Sequence, residues 1–253
     1  MSATQQSVRR SATQQSVRRS AAVTVGVVRL IGGWYWAIFV VVTAAIVLIS
    51  YRLGAELDQG LLDSQMGGPS RWFMLVLGII VPAAYLRLHV AAGGTRTAHV
   101  QGTVRGAFIG GALLGLATAV YLVGERTLYG SLGLAWAREF GPPVDGYAGI
   151  ALTVVTEALV VTTYYLVGAA IAAGYYRMGA VRGTAYVVVT LVPAVLVDLA
   201  TRTGVTALLV GPQNLPTGAL GVLLGVVGGL GTAALAAWLF GTPLRSVPLR
   251  PAT

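Results

Sequence analysis

Residues 31–50 read IGGWYWAIFVVVTAAIVLIS, an apolar stretch without a charged residue. A helix of about 20 such residues spans the hydrocarbon core of a bilayer, which is about 30 Å thick. In lipid, backbone polar groups must be paired within helices or a closed barrel, and barrel strands alternate apolar and polar residues. This stretch shows no such alternation. It therefore predicts a membrane-spanning helix and an all-α fold.

Five further apolar segments follow, at residues 72–88, 106–124, 148–176, 184–199 and 217–240. Hydrophobic residues make up 56% of the 253-residue chain and charged residues 10%, which is too apolar for one water-soluble core. We predict a polytopic domain of six transmembrane helices over residues 29–242 and a short cytoplasmic tail at 243–253. The apolar piece VTALLVG, within residues 199–216, is too short to span the bilayer, so it either lies at the outer face or re-enters the membrane.

The charged residues divide between alternate connections of these spans. All 17 basic residues are arginine. With the N-terminus in the cytoplasm, the cytoplasmic segments hold 12 arginines and no acid, whereas the outer segments hold 5 arginines and 7 acids. Arginine-rich connections are retained in the cytoplasm. The pattern favours six spans with both termini cytoplasmic, and it makes the net charge of +9 a sign of topology and not of nucleic-acid binding.

The N-terminal segment contains the sequence SATQQSVRR twice in tandem. This polar, basic composition buries too little apolar surface to fold alone. We predict that residues 1–28 form a disordered cytoplasmic tail. A twin-arginine export signal is the alternative interpretation of RRSAAVTVGVV, but Arg29 interrupts its apolar region.

Residues 89–106, HVAAGGTRTAHVQGTVRG, connect spans two and three and are longer than a simple turn requires. Gly93 and Gly94 are expected to end the preceding helix, and Thr95 to cap a short helix on the membrane face. Val100 and Val104 of that helix would face lipid or protein. Its polar residues, expected to face lipid headgroups or a partner, are Arg96, His99 and Arg105. On charge alone, a simple anchor for anionic lipid fits this segment equally well.

Two junctions resemble a known family. The stretch YLRLHVAAGGTRTAHVQGTVRGAFIGGALLG resembles the junction of spans two and three in type-2 ABC transporter permeases, where a G-x-T-R segment opens a coupling helix. The stretch GAAIAAGYYRMGAVRGT is similar to that family's junction of spans four and five. The resemblance implies a separate cytosolic ATPase that holds ATP and Mg²⁺, with no cofactor bound by this chain. The residues expected to couple to that ATPase are Gly94, Thr95, Arg96, His99, Arg105, Arg177 and Arg182.

By this resemblance, the chain is expected to be the permease subunit of an exporter in the bacterial cytoplasmic membrane. Its cargo would be a hydrophobic or amphiphilic compound such as a drug, a peptide antibiotic or a lipid, and it would act as a homodimer or paired with a similar permease. The alternatives are a six-span substrate-capture subunit of a vitamin-uptake system and a membrane assembly factor without transport activity.

An enzyme is not expected from the residue types present. The chain has no lysine and no cysteine, which excludes a Walker A phosphate loop and a thiol nucleophile. His89 and His99 have no acid nearby in sequence, so a metal site is not expected there either.

Glu157 lies inside span four, where a charged group is costly. With Thr153, Thr163 and Tyr164 on the same broad face, it predicts a polar substrate path or a subunit contact, unless it is protonated or bonded to a neighbouring span. Near the end of span five, Asp198 and Arg202 have the i,i+4 spacing of a helical ion pair.

Span six carries glycines at four-residue spacing, which lets another helix approach closely. The set is Gly221, Gly225 and Gly229, and span three offers a similar set in Gly110, Gly111 and Gly115. Packing within the monomer and contact across a dimer both fit these patterns.

Overall fold

The structure is a computed structural model that describes residues 3–55, 57, 59–64 and 68–245. These residues form helices and connecting turns, with no strand among them. In chain order the α-helices are α1 (Ala3–Arg52), α2 (Leu61–Ser64), α3 (Ser70–Ala91), α4 (Arg96–Ser131), α5 (Gly146–Thr201), α6 (Gly204–Val210), α7 (Gly218–Leu223) and α8 (Gly229–Leu244). A π turn (Leu224–Gly228) joins α7 to α8. Five helices are long and apolar enough to cross a membrane, which confirms an all-helical, multi-pass membrane protein.

Helix α5 contains the predicted spans four and five. It is broken at Gly179, whose φ of 74° and ψ of −172° are readily adopted by glycine alone. We call residues 146–178 the first arm of α5 and residues 180–201 its second arm. The two arms lie side by side, as the hydrogen bond from Tyr164 of the first arm to Asp198 of the second arm shows. Five long helical segments therefore account for all six predicted apolar segments, because α5 folds into a hairpin that contains two of them. These segments are Ser11–Arg52, Ser70–Ala91, Arg96–Ser131, Gly146–Thr201 and Gly218–Leu244.

The first arm of α5 lies in the middle of the bundle, where it contacts α3, α4 and α8. Val160, Tyr165 and Leu166 are completely buried there. A methyl group added at Gly78 of α3 would overlap the carbonyl oxygen of Tyr165, and one added at Gly168 of α5 would overlap that of Leu75. The backbones of α3 and α5 therefore touch at this crossing, which the sequence patterns above do not predict.

Helix α1 begins far ahead of the first predicted span. Residues 3–28, for which disorder is predicted, are helical and continue into that span without a break. The second copy of the tandem repeat supplies Val17 to a buried stripe that continues through Ser20, Thr24 and Val28. The glycines of α4 that face this stripe are Gly102, Gly106 and Gly110. Composition alone does not predict that this tail is ordered, because the part of α4 against which it packs lies some 80 residues further along the chain.

The glycines of span six pack within the monomer. Gly225 lies against Thr156 and Gly229 against Leu159, both in the first arm of α5. Gly221 lies against the backbone of Pro216 in the preceding turn. On span three, Gly110 meets α1, whereas Gly111 and Gly115 meet α5. Close packing inside one chain thus accounts for both sets.

Residues 199–216 form no spanning helix. They contain α6, which is 7 residues long, and the 3₁₀ turn Pro212–Asn214. Ala207 of α6 is completely buried, whereas Leu209 is 80% exposed. Residues 1–2 and 246–253 of the two predicted tails lie outside the described residues, as do Glu56, Asp58 and Arg250 of the charge count.

Candidate functional site

The arginines of the segments that connect the spans lie, where the structure describes them, at two opposite ends of the bundle. We call the end formed by residues 85–105, 175–183 and 239–245 the arginine end, because its charged groups are all arginines. These three segments meet there: Leu86, Tyr176 and Phe240 belong to one apolar cluster, and Arg177 donates to the carbonyl of Thr242 at 3.4 Å. At the opposite end, which we call the paired end, arginines and acids form ion pairs. The arginine-only connections and the connections that contain acids, which alternate along the sequence, thus lie at different ends of the bundle.

The turn between α3 and α4 carries the predicted caps. Helix α3 ends at Ala91, Gly93 has a φ of 80°, and the Thr95 hydroxyl oxygen accepts a hydrogen bond from the Ala98 amide at 3.1 Å. The predicted short helix is not a separate element, however, because α4 continues unbroken to Ser131. Glycine costs a helix some stability without removing its hydrogen bonds, so Gly102 and Gly106 do not interrupt α4.

His99 is buried and does not face a partner as predicted; it is 1% exposed. The cause is α1, which covers this face of α4: the Ser20 hydroxyl lies 3.3 Å from His99 Nδ1, and the Ser16 hydroxyl lies 3.1 Å from His89 Nε2. The rings of Tyr85, His89 and His99 lie within about 6 Å of one another. The two histidines therefore join α1 to the α3–α4 turn.

The other predicted coupling residues remain at the surface of the arginine end. Arg105, Arg177 and Arg182 are exposed, and Arg96 is half-buried. Arg96 and Arg245 line a cavity of about 140 Å³ between the start of α4 and the end of α8. A side chain at Gly94 would overlap the ring of His89, so the tight turn requires glycine here. The predicted set therefore divides into arginines at the surface of two turns and residues that hold the α3–α4 turn in place, namely Gly94, Thr95 and the buried His99.

At the paired end, Arg71 and Asp198 form a buried ion pair. Arg71 Nη1 lies 2.7 Å from Asp198 Oδ1, and both side chains are at most 2% exposed. The Tyr164 hydroxyl donates to Asp198 Oδ2 at 3.1 Å, and the Arg71 guanidinium lies 5.7 Å from the centre of the Tyr164 ring. Asp198 thus bonds to a residue of α3 that lies 127 positions away in the chain, a partner that its i,i+4 spacing from Arg202 does not predict. The cluster joins α3 to both arms of α5.

Glu157 is also paired. Arg138, in the loop between α4 and α5, places Nη2 at 3.2 Å from Glu157 Oε1 and donates from Nη1 to Thr153 at 3.2 Å. Thr163 is completely buried and donates to the Leu159 carbonyl of its own helix. The four predicted path residues therefore divide between two ion-pair clusters and a helix interior. Glu157 is bonded to a loop and not to a neighbouring span.

A groove separates α1 from α4 on the side of the paired end. The two helices touch at Val28 and Gly110, but a methyl group added at Gly124 would have no neighbour within 4 Å. The cavity between them has a volume of about 730 Å³. Its lining includes Trp36, Val40 and Val47 of α1 and Ala117, Tyr121 and Glu125 of α4. We call it the α1–α4 groove.

Glu125 lies at the end of this groove and is 5% exposed. Its carboxylate accepts hydrogen bonds from the Leu61 amide at 2.8 Å, the Tyr121 hydroxyl at 2.8 Å and the Trp136 indole at 3.1 Å. Along the sequence, Glu125 counts only as an acid of an outer connection. The signal that could have identified it is the i,i+4 spacing from Tyr121, which places both side chains on one helix face.

Comparison with protein-family models, with curated proteins and with solved structures gives no match to this chain. Its function is therefore inferred from its own residues and their geometry.

Proposed function

We propose that this chain is the permease subunit of an ATP-driven exporter in the bacterial cytoplasmic membrane, and that a cytosolic ATPase docks at its arginine end. The observation that carries the proposal is the convergence of exposed arginines from two turns on an end without acids. Arg105 follows the α3–α4 turn, and Arg177 and Arg182 flank the turn at Gly179. Short arginine-rich connections are those retained in the cytoplasm, where an ATPase would be found.

The long helices give this docking site a mechanical link to the rest of the chain. Helix α4 has 36 residues and a length of roughly 54 Å, since each helical residue adds about 1.5 Å. It begins at Arg96 in the arginine end and passes the α1–α4 groove before it ends. A displacement of its first turn by the ATPase would therefore move the groove wall as well. ATP and Mg²⁺ would be bound by the partner.

The cargo in this proposal is a hydrophobic or amphiphilic compound, such as a drug, a peptide antibiotic or a lipid. The apolar faces of the outer helices support a compound that enters from the bilayer: Val41 is 68% exposed and Val120 is 64% exposed. Two such chains, identical or similar, would pair in the membrane to present two docking sites. The glycines of span six are occupied within the monomer and do not argue for that pairing.

The test is co-purification in mild detergent with an identified ATPase, followed by measurement of ATP hydrolysis. We expect the wild-type chain to recover the ATPase, and the double variant Arg105→Glu/Arg177→Glu to lose it because the sign of the docking charge is reversed. Arg52→Glu is the matched control, since Arg52 is also exposed but terminates α1 beyond the span on the other side. Failure of any ATPase to co-purify would contradict the proposal. Recovery only through an additional membrane scaffold would favour the substrate-capture subunit.

A further inference from the structure

We propose that the α1–α4 groove binds lipophilic organic cations, with the carboxylate of Glu125 as their counter-ion. This deepens the proposed function by naming a substrate class for it, and it rests on that function for its place in export. Binding itself is a property of this chain alone and is tested without the ATPase.

The size and composition of the groove suit an amphiphilic small molecule. A volume of about 730 Å³ lies within the range of pockets for drug-sized ligands, about 300 to 1,000 Å³. The walls are mostly aliphatic and aromatic, with Trp36 and Tyr121 in tilted contact at 5.8 Å between ring centres. Val40 and Val120 line the groove and are 45% and 64% exposed. The groove therefore opens towards the lipid, from which an apolar ligand would enter.

The charge of the groove selects a cation. Among the described residues, the buried acids Asp198 and Glu157 each have an arginine partner, whereas the hydrogen bonds of Glu125 come from neutral groups. Arg126, the next residue in the chain, pairs with Asp145 at 2.6 Å. A carboxylate in a low-dielectric site without a compensating positive charge attracts a cation strongly. The π faces of Trp36 and Tyr121 favour a cation as well.

The groove also has an unused hydrogen-bond donor. Trp36 is only 8% exposed, and its buried indole nitrogen has no hydrogen-bond partner within the part of the chain that the structure describes. A buried donor without a partner costs free energy, which a ligand oxygen would recover. A rotation of the Trp36 ring that exposes this nitrogen to the groove would let it donate to an oxygen on the apolar body of a cation bound at Glu125.

The experiment compares two probes of equal shape and opposite charge, tetraphenylphosphonium and tetraphenylborate. Their binding to the purified full chain in lipid nanodiscs is measured by equilibrium dialysis. We expect the cation to bind at least about tenfold more tightly than the anion, because truncating or reversing one partner of a desolvated charge pair costs more than that. In Glu125→Gln, which keeps an oxygen acceptor, the cation should lose about that factor and the anion should not.

A second variant keeps the proposal testable if Glu125→Gln does not fold. Gly124→Leu places a branched side chain in the groove, and the Cβ atom of that side chain has open space, since nothing lies within 4 Å of a methyl group at this position. Gly130→Leu is its matched control, because Gly130 lies on the same helix, has equally open space and does not line the groove. We expect Gly124→Leu to abolish binding of the cation and Gly130→Leu to preserve it.

Equal affinity for the two probes, or cation binding unchanged in both Glu125→Gln and Gly124→Leu, would overturn the groove assignment. These results are independent of ATPase recruitment. Cation binding without a partner ATPase would refute the proposed exporter function and support the groove as a cation site. ATPase recruitment without cation binding would support the exporter function and refute the cation site.

Discussion

Among the ion pairs of the described residues, the pair of Arg71 and Asp198 is the most deeply buried. Both side chains are at most 2% exposed, so water compensates neither charge. Such a pair gains little over apolar residues of the same size, but either charge alone in the interior is strongly destabilising. The Tyr164 hydroxyl adds a third contact to the same carboxylate. These groups therefore depend on one another.

Replacing one member of this pair should destabilise the protein more than replacing both. We expect Arg71→Met to reduce the free energy of unfolding by about 3–5 kcal/mol, because it leaves Asp198 buried without a cation. The double variant Arg71→Met/Asp198→Leu should recover most of that loss. Thermal unfolding in detergent, followed by tryptophan fluorescence, measures the difference.

The control for this prediction is Arg126→Met. Arg126 pairs with Asp145 at 2.6 Å, but their side chains are 48% and 70% exposed. Exposed pairs contribute about 0–1 kcal/mol, so this variant should unfold close to the wild-type temperature. Equal destabilisation by Arg71→Met and Arg126→Met would contradict the prediction, because it would show that burial of the first pair does not change its contribution to the free energy of unfolding.

At the scale of the elements, the helix in which sequence and structure differ most is α1. Its 50 residues give a length of roughly 75 Å, more than twice the thickness of the hydrocarbon core. The part beyond the membrane-length segment is held by α4, through small residues that let the two backbones approach closely. Ser20, which directly follows the second copy of the repeat, contacts both Gly102 and His99. A tail that is polar in composition thus packs one of its faces against α4.

Gly102→Leu should separate α1 from α4 at this point, because even a methyl group there would overlap Ser20 and the Val17 carbonyl oxygen. We expect trypsin to cleave after Arg18 and Arg19 at least about tenfold faster in this variant, since cleavage requires local opening of the helix and an overpacked contact costs about 1–3 kcal/mol. Mass spectrometry of the early fragments identifies the cleavage sites.

Gly130→Leu makes the same change on α4 where there is open space, and its cleavage rate should equal that of the wild type. Rapid cleavage of the wild-type chain at Arg18 would contradict the packed stripe.

The sequence predicts the spans of this fold well, because length and apolar composition alone decide whether a helix can cross a bilayer. It predicts Thr95 as a helix cap and Gly93 as the end of α3 for a similarly local reason. It does not predict the burial of His99, the partner of Asp198 or the contact of Gly78 with α5. Those depend on residues 70 or more positions away, and spacing along one helix carries no information about them.

For the candidate site, the sequence identifies the exposed arginines and misses the groove. The arginines are recognisable because charge in a short connection has a local meaning. The α1–α4 groove depends on how two helical segments some 80 positions apart in the chain pack against each other, and no residue pattern within either helix encodes that packing. The sequence therefore identifies Glu125 as an acid but does not predict that it lies at the end of a cavity.

On the scale of the whole molecule, the separation of charges predicts its orientation in the membrane. The chain lacks cysteine, so single cysteines can be introduced at exposed positions without a background. In intact cells, a membrane-impermeant maleimide should label Ser131→Cys at the end of α4. It should label Ala92→Cys, in the α3–α4 turn, only after permeabilisation, because the arginine end is expected to face the cytoplasm.

Labelling of Ala92→Cys from outside would place the arginine end out of reach of a cytosolic ATPase and would remove the basis of the proposed function. Equal labelling of both positions in denatured protein serves as the control for reactivity.

The reversal at Gly179 joins two separate helical arms, and the turn has open space around it, since a methyl group added there would have no neighbour within 4 Å. Insertions are tolerated best at exposed turns of this kind. A short epitope tag placed next to Gly179 should therefore leave Asp198 beside Arg71 and Tyr164. One residue inserted within the second arm would instead rotate the rest of that arm by about 100°, which would turn Asp198 away from both partners.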